Sequence, residues 1–145
     1  MKPTGVMKSD KGRILFVEDE KHLVDMYHVF FEKNGYDFLS TKDIEEALHV
    51  TEFEQPDVVL LDIIIPTEEN TIAEQGYGYL EAVKKNPKTK DVPIIVFTNL
   101  DTSQDRIKCE EMGAVAYIFK GAASPRDVLN TVAAVIKEHR KTKKK

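Results

Sequence analysis

Apolar residues form short continuous runs along the chain, separated by stretches with helical spacing. The longest runs, residues 14–17, 58–61, 94–97 and 115–119, consist only of aliphatic and aromatic residues. Such runs are typical of strands that are buried on both faces of a sheet. The predicted strands are residues 13–17, 36–39, 57–61, 92–97 and 115–119.

Between the strands, apolar residues recur every three or four positions, which predicts five helices. The first helix is expected to stop at Gly35, and Ser40 or Thr41 is expected to cap the second. Ser124, followed by a proline, predicts the start of the fifth. Five strands alternating with five helices predict an α/β fold with a doubly wound parallel sheet.

A polar segment, residues 67–77, lies between the third strand and the third helix. It is longer than the roughly 2–6 residues usual for such a connection, and a tolerated insertion is favoured over a gate or docking element. Gly76 and Gly78 are expected to form the turn into the helix.

The length of 145 residues fits one domain. The predicted domain is residues 12–139, with a loose leader at 1–11 and a basic tail at 140–145. The net charge is −4, but residues 137–145 carry +5, which leaves −9 on the rest. This acidic body disfavours direct DNA binding.

The single cysteine, Cys109, excludes an internal disulfide, and no apolar stretch approaches the ~20 residues that span a bilayer. The first residues also lack the apolar core of a signal peptide. These features predict a cytoplasmic protein with no membrane association.

Polar residues stand directly after four of the predicted strands, or end them: Glu18 with Asp19, Asp62, Thr98 and Lys120. The carboxyl ends of parallel strands meet at one edge of a sheet, where α/β proteins place their sites. Each residue alone is also an ordinary strand-end residue. Their combination predicts a site for a divalent cation, Mg²⁺, and a phosphoryl group.

Asp62 differs from the acidic pair because it follows the most apolar strand alone. A carboxylate can act as a nucleophile and become an acyl phosphate. Such a reaction needs a metal to screen the incoming charge, and a cation such as Lys120 on the opposite side. Thr98 offers a hydrogen-bond donor to a phosphoryl oxygen.

The order of an acidic pair, an aspartate followed four residues later by a proline, a threonine and a lysine resembles the receiver domain of two-component response regulators, of the stand-alone chemotaxis-regulator kind. The resemblance covers about residues 12–139 and implies a flavodoxin-like sheet with strand order 2-1-3-4-5. It implies that Mg²⁺ is held by Asp62, by Asp19 directly, by Glu18 through a water, and by the backbone carbonyl of Ile64. The other implied roles are phosphoacceptor for Asp62, phosphoryl-binding cation for Lys120, switch hydroxyl for Thr98 and aromatic switch for Tyr117.

The resemblance further implies a phosphoprotein that takes its phosphoryl group from a histidine kinase or histidine phosphotransfer protein. Output is expected through a partner protein that binds the surface of the fourth helix, fifth strand and fifth helix. The chain is expected to be a monomer or weak homodimer, and not an enzyme acting on outside substrates. Gly121 departs from the family, in which a proline often follows the lysine.

Two alternatives remain open from the residues. The first is a binding module of the same fold that is never phosphorylated, which the full set of site residues disfavours. The second is a hydrolase with a nucleophilic aspartate, which usually has a second acid two residues beyond the nucleophile. Ile64 occupies that position here.

Overall fold

The structure is a computed structural model that describes residues 9–65 and 76–143. The strands are β1 (Arg13–Val17), β2 (Asp37–Thr41), β3 (Val58–Leu61), β4 (Ile94–Thr98) and β5 (Ala116–Phe119). The helices are α1 (Lys21–Lys33), α2 (Ile44–Glu54), α3 (Gly76–Lys85), α4 (Ser103–Glu111) and α5 (Pro125–Lys143), with a short 3-10 helix at Lys120–Ala122. None of these helices is both long and apolar enough to cross a membrane.

The five strands form one parallel sheet in the order β2-β1-β3-β4-β5, which confirms the predicted fold class and strand order. Val17, the last residue of β1, lies beside Leu61 at the end of β3 and beside Thr41 at the end of β2. Thr98 lies beside Phe119 in the same way. The carboxyl ends of the strands are therefore level, and whatever follows them shares one edge.

Two apolar layers cover the two faces of the sheet. One contains side chains of α2, α3 and α4, and the other contains side chains of α1 and α5. Every residue of β1, β3 and β4 is buried, as predicted, whereas every residue of β5 is only half-buried. β5 and β2 are the two edge strands, and β5 is the more exposed of them.

The predicted helix boundaries are confirmed where the residue that caps the helix is its neighbour in the sequence. Gly35 follows α1 with a φ of +93°, a conformation that suits glycine. At the start of α5, the Ser124 hydroxyl accepts from the Asp127 amide (3.1 Å), and the Asp127 carboxylate accepts from the Ser124 amide (3.0 Å). This reciprocal pair is a capping box.

Two boundary predictions are wrong. β2 continues through Ser40 and Thr41, so the cap of α2 is Asp43, whose carboxylate accepts from the Glu46 amide at 2.8 Å. Gly76 and Gly78 do not form a turn before α3 but lie in its first turn. The insertion predicted at residues 67–77 otherwise lies outside the described residues. The domain limits stay a prediction, and α5 continues past residue 139 to Lys143.

A buried ion pair lies at the amino edge of the sheet, opposite the carboxyl ends of the strands. The Arg13 guanidinium donates to the Glu54 carboxylate at 2.7 Å and lies 3.9 Å from the carboxylate of Asp37. Arg13 and Glu54 are 4% and 6% exposed, so both charges are removed from water. A buried pair adds little net stability when intact, but loss of one partner strands the other charge.

We therefore expect Glu54→Leu to lower the free energy of unfolding by about 3–5 kcal/mol, because it leaves the Arg13 charge without its nearest partner. Urea denaturation would measure the change. The double variant Arg13→Met with Glu54→Leu should recover much of the loss. A double variant as unstable as the single one would show that the ion pair itself stabilises the fold.

Candidate functional site

The carboxyl edge of the sheet gathers the polar side chains that follow its strands. Glu18 and Asp19 come directly after β1, Asp62 after β3, and Lys120 after β5, while Thr98 ends β4. β3 is the central strand, so Asp62 lies between the acidic pair on one side and Thr98 and Lys120 on the other. The side chains predicted from sequence to share a site are thus brought together.

Asp62 is the centre of the hydrogen-bond network. Its Oδ1 accepts from the Thr98 hydroxyl at 2.9 Å and from the Ile64 amide at 3.0 Å, and its Oδ2 accepts from the Lys120 ammonium at 2.7 Å. Asp62 is only 6% exposed and Thr98 is fully buried. The carboxylate is therefore held in one orientation at the edge of the sheet, with all three contacts supplied by different segments.

Three carboxylates form the acidic side of the site. Oxygen atoms of Glu18, Asp19 and Asp62 all lie within 4.8 Å of one another. Glu18 is buried, accepts from the Asp19 and Glu20 amides (both 3.2 Å) and forms an ion pair with Lys120. Asp19 is exposed and forms the solvent side of the cluster.

The electrostatics of this cluster favour a cation. Burial raises the pKa of Glu18 above its ordinary value, even though Lys120 opposes that shift. Burial also disfavours the charge on Lys120, but Asp62 and Glu18 outweigh it and raise the pKa of the ammonium. Two of the three carboxylates, Glu18 and Asp62, thus pair with the one ammonium, and negative charge is in excess. An all-oxygen donor set with excess negative charge suits Mg²⁺.

Tyr117 lies in β5, level with Val96 of β4. Its hydroxyl donates to the backbone carbonyl of Leu100, and the Arg106 guanidinium of α4 lies 4.9 Å from the centre of its ring. The ring is half-buried against the β4–α4 connection. Tyr117 therefore joins β5 to the segment that follows Thr98.

Gly76 is a positioning residue whose role cannot be recognised from the sequence alone. Its amide donates to the Ile63 carbonyl at 2.8 Å. A Cβ at this position would lie 2.5 Å from the Ile63 Cα and 2.6 Å from the Asp62 carbonyl oxygen. Only glycine allows α3 to approach the backbone of the Asp62 segment so closely. Glycine alone does not signal such an approach in a sequence, because turns use it more often.

Tyr77, the next residue, links the start of α3 to α4. Its hydroxyl donates to the Asp105 carboxylate at 2.8 Å, and the Lys108 ammonium lies 3.8 Å from the centre of its ring. The Asp105 carboxylate also accepts from the Thr102 hydroxyl at 2.6 Å, and these two bonds lower its pKa. α4 is thus tied on one side to α3 and on the other to β5.

Comparison of this chain with known proteins agrees with this geometry. Residues 14–133 match the family model of the response regulator receiver domain. The chain is 34% identical over 131 residues to the "Probable transcriptional regulator ycf27" of Guillardia theta, covering 90% of this chain and 48% of that protein. It is 30% identical over 125 residues to the "Phosphate regulon transcriptional regulatory protein PhoB" of Escherichia coli (strain K12), covering 86% and 52%. The chain thus spans about half the length of these curated relatives.

Solved structures show the same fold. A response regulator receiver domain protein (CheY-like) from Methanospirillum hungatei JF-1 superposes with a TM-score of 0.78 at 28% identity, covering 90% of this chain and 97% of that one. The BeF3-activated N-terminal receiver domain of Klebsiella pneumoniae RstA gives a TM-score of 0.72 at 27% identity, covering 86% and 97%.

We expect Gly76→Ala to lower the free energy of unfolding by about 1–3 kcal/mol, because the added methyl group meets backbone atoms that have no room to yield. Gly78→Ala is the matched control: nothing lies within 4 Å of its Cβ position, so it should raise stability by about 0.4–1 kcal/mol. Urea denaturation of both variants measures the difference. Equal effects of the two substitutions would contradict the close approach of α3 to Asp62.

Proposed function

Because the chain belongs to the response regulator receiver family of two-component signalling systems, we propose that Asp62 accepts a phosphoryl group from a phosphohistidine. The donor is a histidine kinase or a histidine phosphotransfer protein. One observation carries the proposal: the Asp62 carboxylate bonds to Lys120 and Thr98 and lies within 4.8 Å of two further carboxylates. A signalling phosphoacceptor needs this arrangement, and no outside substrate has to be bound.

In the proposed reaction an Asp62 carboxylate oxygen attacks the phosphorus atom of the phosphohistidine. The new O–P bond forms as the N–P bond breaks, and the electron pair of that bond returns to the imidazole. Lys120 places a positive charge beside the transferred group, and Thr98 is within reach to donate to it. These groups act by position and charge, which is how proteins promote phosphoryl transfer.

Magnesium fits the same site. Glu18, Asp19, Asp62 and the backbone carbonyl of Ile64 would hold the ion, which matches the preference of Mg²⁺ for carboxylate and carbonyl oxygens. When bound, it supplies positive charge that screens the carboxylates from the incoming phosphoryl oxygens.

The proposed signal is a change in the surface formed by α4, β5 and α5. A phosphoryl group places about 1.5–2 negative charges and three acceptor oxygens next to the Thr98 hydroxyl, in place of the single charge of the Asp62 carboxylate. That hydroxyl now donates to Asp62, and its movement toward the new acceptor gives Tyr117 space to turn inward. Because Tyr117 contacts Leu100 and Arg106, this movement repacks the surface that an output partner binds.

The phosphorylation site is tested by incubating the protein with acetyl phosphate and Mg²⁺ and measuring its intact mass. We expect the mass to rise by one phosphoryl group in the wild type, and not in Asp62→Asn, which lacks the nucleophilic carboxylate. Chelation of Mg²⁺ should suppress the gain. Phosphorylation that persists in Asp62→Asn would exclude the assignment.

The switch is tested by comparing backbone amide NMR spectra of the wild type and Tyr117→Ala before and after phosphorylation. The variant should still gain the phosphoryl mass, because Tyr117 makes no contact with Asp62. Its α4 amides should show much smaller chemical-shift changes than those of the wild type, because the side chain that repacks is missing. Equal α4 responses in the two proteins would rule out Tyr117 as the switch.

A further inference from the structure

An apolar groove of about 520 Å³ lies beside α5, at the amino-terminal edge of the sheet and away from Asp62. Tyr36, which precedes β2, and Leu129, Ala133 and Ile136 of α5 form its floor. Tyr36 and Ile136 are 7% and 4% exposed, so the floor is set into the molecule. A volume of this size accommodates one or two large apolar side chains.

The rim of the groove is basic. Lys11, Lys137, Arg140 and Lys141 line it, and among the described residues no carboxylate does. Arg140 donates to the backbone carbonyl of Asp10, and Lys11 donates to that of Asn34 (both 2.9 Å). These bonds orient the two cations without neutralising them.

The other two rim cations belong to α5. Lys141 lies 3.6 Å from the Glu138 carboxylate, and both side chains are exposed, so that pair is weak. The ammonium of Lys137 adds to the same positive field. The groove therefore keeps most of its positive charge, although the chain as a whole is acidic.

We propose that this groove binds an acidic peptide segment of a partner protein, with an aromatic or aliphatic side chain seated on the floor. The floor favours an apolar anchor, and the rim favours carboxylates on either side of it. The proposal does not rest on the proposed phosphorylation, because the groove contains none of the residues of the Asp62 site.

Charge and shape argue against other occupants. Residues 1–8 of the chain carry Lys2 and Lys8 and no carboxylate, so they lack the charge that the basic rim favours. A nucleic-acid backbone would satisfy the cations but leave the apolar floor uncovered, and the acidic body would repel it. A membrane surface binds protruding apolar faces, whereas this floor is recessed.

The test selects peptides from a phage-displayed library of random linear peptides on the wild-type protein. We expect enriched sequences to combine Asp or Glu with a large apolar residue. Their fluorescein-labelled synthetic forms are then measured by fluorescence anisotropy at low and physiological salt. The groove variant Lys137→Gln with Arg140→Gln should weaken binding about tenfold, since two exposed charge contacts are lost.

The matched control is Lys88→Gln with Lys90→Gln, which removes the same charge from exposed positions outside the groove. It should change affinity less than about twofold. Ala133→Phe retains every charge but fills the floor, and should also weaken binding. Thermal melting checks that each variant is folded.

Four results would overturn the proposal. One is a library that yields no acidic peptides, and another is peptides that bind the groove variant as tightly as the wild type. A third is groove-dependent binding of phosphatidylglycerol vesicles or a single-stranded oligonucleotide in preference to the peptides. The fourth is concentration-dependent self-association, seen by sedimentation, that the groove variant abolishes, because a second copy would then be the occupant.

Discussion

The excess of negative charge at the carboxyl edge of the sheet constrains the rest of the molecule. Glu18 and Asp62 are buried there beside the exposed Asp19, and Lys120 is the ammonium that contacts them. Mutual repulsion and loss of hydration both oppose this cluster, as the raised pKa of Glu18 indicates. The cluster persists because it stands on β1 and β3, whose residues are all buried and paired on both sides. The core of the sheet thus supports a site that is itself destabilising.

The sequence predicted this site because each residue has a fixed relation to a strand. Asp62 and Lys120 directly follow apolar runs, and the carboxyl ends of parallel strands meet at one edge whatever the detailed packing is. The prediction therefore needed only the strands and their parallel order. Errors of one or two residues in the strand bounds did not matter, because the polar residue itself marks the end of the run.

What the sequence did not predict depends on contacts between distant segments. Gly76 has the local signature of a turn, and only the position of α3 against the Asp62 backbone shows why a side chain is excluded. The Tyr77–Asp105 bond spans 28 residues and the Arg13–Glu54 pair spans 41. No periodicity in the sequence encodes such pairs. The Asp43 cap was missed for a related reason, since pairing with β1 extends β2 through Thr41.

The acidic cluster and the basic groove lie at opposite edges of the sheet, and this separation has a physical consequence. β1 and β4 are five residues long, so the acidic cluster and the basic groove lie on the order of 16 Å apart along the strands. The Debye length at physiological ionic strength is about 8 Å, so a charge gained at Asp62 is largely screened at Arg140. The cations of the groove are also favoured by the carboxyl end of α5, whose dipole is negative. The charge at the Asp62 site can thus change while the electric field at the groove stays nearly constant. One domain can therefore hold a phosphorylation switch and a separate peptide-binding site.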